Sequence, residues 1–241
     1  MEKNEFFKIL LDTVSREYSG MDNDSSVWRQ LLAEQPRTVP ELKISPQIKP
    51  EGKNINSNSS AVESTGTLSS ADMTALAKMV KDCHRCNLRG GCRQTVFGEG
   101  NYADLMFVGE APGAEEDATG RPFVGKSGQL LDKMIQAMQF QRSEVFIGNI
   151  VKCRPPGNRN PMPEEADACI GYLKRQIELI KPKVLVLLGA TPLLFLMNIS
   201  GIKRNRGKWL EYNGIPVMPT FHPAYLLHSP GDKRLVWEDL K

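Results

Sequence analysis

The sequence predicts a three-layer α/β/α domain built on a central, mainly parallel, four-stranded sheet and preceded by a flexible N-terminal extension. Three observations predict it. Four short apolar runs, at 105–108, 145–151, 184–188 and 216–221, have strand length and lack the alternation of a strand with one wet face. Helical patterns separate them, the order expected of a parallel sheet with helices on both faces. Residues 54–70 are dominated by Ser, Asn, Thr and Gly, a composition that buries too little apolar surface to offset its ordering entropy.

In chain order, residues 1–18 read as an N-terminal amphipathic helix. Phe6, Phe7, Leu10, Leu11, Val14 and Tyr18 recur at helical spacing with charges between them. Such a helix packs on its own protein or docks into the groove of a protein partner. Residues 19–70 read as a flexible linker, punctuated early by Pro36, Pro40, Pro46 and Pro50. The folded domain is expected over 71–241. It opens with a helix that carries Leu76, Met79 and Val80 into Cys83. Leu130, Leu131, Met134, Ile135 and Met138 form the apolar stripe of another helix. Pro163-Glu164-Glu165 opens a third, with proline in the first turn and acids favoured by the helix dipole.

Charge and composition narrow the function classes. The 241 residues carry a net charge of +3, yet residues 1–70 hold 8 Lys and Arg against 10 Asp and Glu, while 71–241 hold 23 against 18. The basic part is the folded part, which is compatible with a polyanionic partner. No run approaches the ~18 apolar residues of a membrane span, and the charged start, Met1-Glu2-Lys3-Asn4-Glu5, is not a signal peptide. A cytoplasmic monomer with no membrane partner is expected.

Five cysteines without a secretory signal favour metal or redox use over a disulfide framework. Cys83-His84-Arg85-Cys86 is a C-x-x-C, and Cys153 and Cys169 lie far downstream, flanking a strand-end loop and the helix after it. No thioredoxin-like strand precedes the C-x-x-C, so a metal site is expected on these four. Four thiolates hold either a tetrahedral zinc or an iron–sulfur cluster, and spacing alone does not separate the two. Cys92 reads as a plain small residue.

Ligands of parallel α/β sheets sit beyond the carboxyl ends of the strands. Three of those ends are loaded, at 109–117, 149–159 and 222–227. In Gly109-Glu110-Ala111-Pro112-Gly113-Ala114-Glu115-Glu116-Asp117, glycines let backbone approach a ligand and the acids supply acceptors. Gly120–Ser127 matches a phosphate-loop pattern, but no apolar strand runs into Gly120, which excludes a nucleoside-triphosphate site. Phe123, in a glycine-flanked loop, is either core or a stacking surface for a planar ligand. Asn149, inside an apolar strand end, either satisfies nearby backbone or reads a base edge, since a carboxamide offers donor and acceptor together. His222, pinned by Pro223, is a candidate for stabilising developing charge.

Together these residues resemble the family 4 uracil-DNA glycosylases, the iron–sulfur branch of that superfamily. The resemblance covers roughly 76–241. It rests on Cys83-x-x-Cys86, Gly109-Glu110-Ala111-Pro112-Gly113 with Glu116-Asp117, and Gly120-Arg121-Pro122-Phe123-Val124-Gly125. It continues through Asn149-Ile150-Val151-Lys152-Cys153-Arg154-Pro155, His222-Pro223-Ala224-Tyr225-Leu226-Leu227 and the closing Val236-Trp237-Glu238-Asp239-Leu240. Residues 1–70 lie outside it.

The resemblance implies a structural [4Fe-4S] cluster on Cys83, Cys86, Cys153 and Cys169. It implies removal of uracil from DNA by cleavage of the N-glycosidic bond, leaving an abasic site for base excision repair. Phe123 would stack on the flipped uracil, Asn149 would hydrogen-bond its N3–H and O4, and His222 would donate to O2. Gly109 and Ala111 would line the base site. Glu110, then Glu116, would position the water or the base, because Ala111 occupies the slot that holds an aspartate in the best-known branch. Gly113 stands where a bulky aromatic elsewhere blocks the thymine methyl, so thymine is excluded by a different device. Lys203, Arg204 and Arg206, in the densest basic run, would grip phosphates, and Leu226 or Leu227 would wedge into the gap left by the flipped base. The rival readings are a non-catalytic iron–sulfur protein that binds DNA or senses redox on the same fold, and a covalent-trapping variant. Intact Glu110, Phe123, Asn149 and His222 argue against the first, and the lack of an inserted basic loop between Gly120 and Leu131 argues against the second.

Overall fold

An alternation concealed within the all-apolar strands divides the core into two halves. The computed structural model describes residues 70–100 and 103–241. In chain order the helices are α1 (Ser70–Lys81), α2 (Leu88–Gly91), α3 (Ala114–Thr119), α4 (Lys126–Ala137), α5 (Pro163–Ile180), α6 (Ala190–Met197), α7 (Ile202–Asn205), α8 (Pro223–His228) and α9 (Lys233–Leu240). The strands are β1 (Leu105–Gly109), β2 (Val145–Asn149), β3 (Val184–Leu188), β4 (Leu210–Tyr212) and β5 (Ile215–Thr220). The first three are buried at every position. Met106, Val108, Leu185 and Leu187 face one way and join Leu76, Val80, Leu173 and Ile177 of α1 and α5. Leu105, Phe107, Val184 and Val186 face the other way and join Leu131, Met134 and Ile135 of α4 and Val236 of α9. These three strands are therefore covered on both faces, which is why no polar residue interrupts them before the terminal Asn149 of β2.

The sheet runs β2-β1-β3-β5-β4. The first three pairings are parallel and β4 pairs antiparallel with β5. The sheet thus has five strands where four were predicted. The fifth is a three-residue edge strand, half-exposed, whose pattern is too short to carry a periodicity. Its signal was the turn: Asn213 and Gly214 both take positive φ, 50° and 80°, between the paired Tyr212 and Ile215. An Asn-Gly pair is the preferred loop of a two-residue hairpin. The predicted helix over 1–18 and the linker, up to residue 69, lie outside the described residues.

This topology locates the site. The chain leaves β1 toward β2 and leaves β3 toward β5, so a crevice opens beyond the carboxyl ends of β1 and β3. No helix among the described residues is long and apolar enough to cross a membrane.

Candidate active site

A cleft of about 210 Å³ occupies that crevice, lined among others by Glu110, Ala111, Gly113, Phe123, Arg159 and His222. Its two sides are tied together where Thr191, at the start of α6 after β3, donates its hydroxyl to Glu110 Oε2. Burial raises the carboxyl of Glu110 above its ordinary range, and the Thr191 hydrogen bond partly opposes that rise.

Asn149 ends β2 and is 2% exposed. Its Oδ1 is buried without a hydrogen-bond partner, an arrangement that costs about 1–3 kcal/mol unless a ligand supplies a donor. The adjoining strand leaves room for it: a Cβ on Gly109 would collide with Asn149 Oδ1 and stand 2.5 Å from Phe123 Cζ. Gly109 is opposite Asn149 in the parallel register, so its missing side chain lets the carboxamide and the aromatic ring converge.

His222 caps the N-terminus of α8, and its Nδ1 accepts the backbone N–H of Ala224 at 3.1 Å. The ring proton therefore resides on Nε2, which makes the neutral imidazole a donor. Burial lowers its pKa to about 4, against a smaller upward pull from Glu116. The rings of His222 and Phe123 lie 5.6 Å apart between centroids.

Phe123 holds a φ of +50°, a left-handed conformation that a bulky residue adopts only under constraint. The constraint is visible. Arg142 donates to the carbonyls of Pro122 at 2.6 Å and Phe123 at 3.2 Å, and pairs with Asp132 at 2.6 Å. Glu116 Oε1 accepts the N–H groups of Val124 at 2.8 Å and Gly125 at 3.0 Å, while its Oε2 accepts that of Gly113 at 3.1 Å. Gly128 permits α4 to press against the Phe123 carbonyl, where a Cβ would collide.

Three predicted roles change. Glu116 touches the cleft, but both its oxygens are taken by backbone donors, so it shapes the Phe123 loop in place of positioning water or base. Arg206 is turned inward onto Asp239, at 3.0 and 2.5 Å, and over the Phe221 ring, which removes it from the phosphate-gripping set. Leu226 is 1% exposed and belongs to the core behind α4, because it sits on the inner face of α8; Leu227, 42% exposed, is the surface leucine. Lys203 and Arg204 are exposed. Thr191, Arg142 and Arg159 were missed. Arg159 lines the cleft while its guanidinium forks onto both oxygens of Glu165, at 2.7 and 2.8 Å.

Cys83, Cys86, Cys153 and Cys169 line a second cavity, between the α1–α2 segment, the loop after β2 and the first half of α5. Among the described residues no group of three or more His, Cys, Asp or Glu is already arranged to hold a metal ion. Burial, reinforced by neighbouring thiols, pushes the Cys153 thiol up, and burial raises Cys169. Cys92 does not line the cavity, and its thiol donates to the Arg89 carbonyl at 3.6 Å. Lys152 borders the cavity, 1% exposed, with Nζ donating to the Asn149 carbonyl at 2.9 Å and Gln176 Oε1 at 2.7 Å. Both acceptors are neutral, and burial lowers its pKa to about 8 while Cys169 opposes the fall. Its backbone N–H points at Cys169 Sγ, 3.3 Å away. A buried ammonium with neutral acceptors fits an anionic thiolate assembly beside it.

Comparison with known proteins agrees with this arrangement. The profile of the Uracil DNA glycosylase superfamily matches residues 97–241. A Type-4 uracil-DNA glycosylase of Thermotoga maritima is 45% identical over 177 residues, covering 70% of this chain and 91% of that protein. A Type-4 uracil-DNA glycosylase of Pyrobaculum aerophilum is 39% identical over 179 residues, with the same two coverages of 70% and 91%. The Type-5 uracil-DNA glycosylase of that organism is 31% identical over 156 residues, 57% of this chain and 68% of that protein. On these matches and the motifs that line the cleft, the chain belongs to the uracil-DNA glycosylase superfamily, in its type-4 branch.

Proposed function

We propose that this protein excises uracil from DNA by hydrolysing the N-glycosidic bond, leaving an abasic site. The observation that carries the reading is the orphaned Oδ1 of Asn149, a buried acceptor that the N3–H of uracil would satisfy while the amide nitrogen donates to O4. Cytosine has no proton at N3, and pairing it there would set acceptor against acceptor. Thymine carries the same N3–H, so its exclusion lies elsewhere in the pocket.

The nucleotide must leave the stack, at a cost of a few kcal/mol that is smallest for mismatched or unpaired bases. Lys203 and Arg204 contribute phosphate contacts, and Leu227 occupies the vacated position. Phe123 offers a ring face to the base, with Glu116 and Arg142 fixing its loop. His222, neutral with its proton on Nε2, donates to O2 as charge builds on the departing base. Glu110, held by Thr191, orients the attacking water.

Cys83, Cys86, Cys153 and Cys169 would hold a [4Fe-4S] cluster. When bound, the cluster supplies a structural tie and no step of the hydrolysis. DNA as the substrate and five unpaired thiols suit the cytoplasm, and one chain carries the whole reading, as for a monomer.

Single-turnover base release from oligonucleotides carrying uracil or thymine opposite guanine tests the reading. Release of uracil, with thymine released at least a hundred-fold more slowly, is expected. Equal release of both would overturn the assigned specificity.

A further inference from the structure

The basic run before β4 ends in an aromatic residue that the glycosylase reading does not use. Trp209 is 46% exposed, and Lys203, Arg204 and Lys208 are exposed in the same segment. That segment is fastened. Arg206 grips Asp239, Gly207 N–H donates to the Pro219 carbonyl at 3.0 Å, and Gly207 takes a φ of +70° where a Cβ would collide with Asp239. The indole is therefore presented from an anchored loop at the edge of the sheet.

Packed rings run from this loop toward α8, whose N-cap His222 lines the cleft. Arg206 lies over the Phe221 ring at 5.5 Å, and Phe221 packs on Tyr225 of α8 at 4.9 Å. Leu210 pairs with Val217, so Trp209 precedes the end of β4 that lies beside the carboxyl half of β5, the strand that leads to His222.

We infer that Trp209 is a stacking platform for an unpaired base of the strand that enters the cleft, with Lys203, Arg204 and Lys208 following its phosphates. The occupant is single-stranded DNA. In a duplex the base faces are already stacked on one another, whereas a single strand leaves them available to an aromatic ring beside cations. The inference rests on the glycosylase reading for its substrate but not for its test.

Affinity for a uracil-free single-stranded oligonucleotide, and for the same oligonucleotide annealed to its complement, is measured by fluorescence anisotropy for wild type, Trp209→Ala, Trp209→Leu and Trp209→Phe. Loss of the ring is expected to weaken single-strand binding about ten-fold and duplex binding less than two-fold, with Phe restoring most of the loss. Leu keeps the bulk without a π face, so it reports even if Ala unfolds the loop. An equal loss on both substrates, or none on the single strand, overturns the platform. On uracil-containing single strands the same variants should raise KM and leave kcat unchanged. A wild type that binds but releases no uracil would instead count against the glycosylase reading and leave the binding result standing.

Discussion

Asn149, His222 and Glu110 stand at three different strand ends, and each is set by a contact that fixes what it can do. The carboxamide oxygen is left without a partner, the imidazole is locked as a neutral donor by the Ala224 N–H, and the carboxyl is pushed up by burial. His222→Ala removes a donor at developing charge and is expected to lower the single-turnover rate by ~10²–10³. Because His222 stays neutral down to about pH 4, it contributes no acid loss of activity between pH 8 and 5.5. The acid limb belongs to Glu110. Thr191 lowers the Glu110 pKa, so Thr191→Val raises it and should move the acid limb of kcat/KM to higher pH. A pH profile of that variant checks the sign, and a limb that moves to lower pH would contradict it. Asn149 and His222 were legible in the sequence because a polar residue at the end of an apolar strand is conspicuous. Thr191 was not: its strand end looked unloaded, and its partner Glu110 lies 81 residues away.

At the scale of elements, the loop that carries Phe123 shows how backbone strain is held for use. A phenylalanine at φ +50° costs of order 1–3 kcal/mol and persists because Glu116 and Arg142 bind the backbone around it. Arg142→Met is expected to release the ring, lowering kcat/KM for uracil about ten-fold or more while the fold is retained. Near-ultraviolet circular dichroism with single-turnover rates checks this, and an unchanged rate would show that the brace is dispensable. The sequence exposed the glycines of this loop and Glu116 but not the second brace, since Arg142 acts across 19 and 20 residues and reads locally as an ordinary surface arginine. The four buried strands were readable from their apolar runs. The edge strand β4 was hidden by its length, although Asn213-Gly214 marked the hairpin. Leu226 and Leu227 were interchangeable in the sequence, and only the packing of α8 against α4 separated them.

At the scale of the molecule, Lys152 links Asn149 to the cavity that the cysteines line. Its Nζ holds the carbonyl of Asn149, and its backbone N–H meets Cys169. If four thiolates balance this buried ammonium, Lys152→Met leaves them uncompensated. The expected penalty is about 3–5 kcal/mol, read as a fall in Tm of roughly 10 °C with loss of bound iron. Lys174→Met, on the exposed face of α5, should change neither. Equal iron and Tm in both variants would remove the electrostatic link. The central claim, uracil excision with Asn149 in the pocket, is tested most directly by single-turnover cleavage of an oligonucleotide with one uracil. Products are scored as alkali-labile sites for wild type and Asn149→Ala, with iron measured in each preparation. The account expects cleavage by wild type that collapses in the variant at unchanged iron content. An iron-loaded wild type that leaves the uracil in place would contradict it.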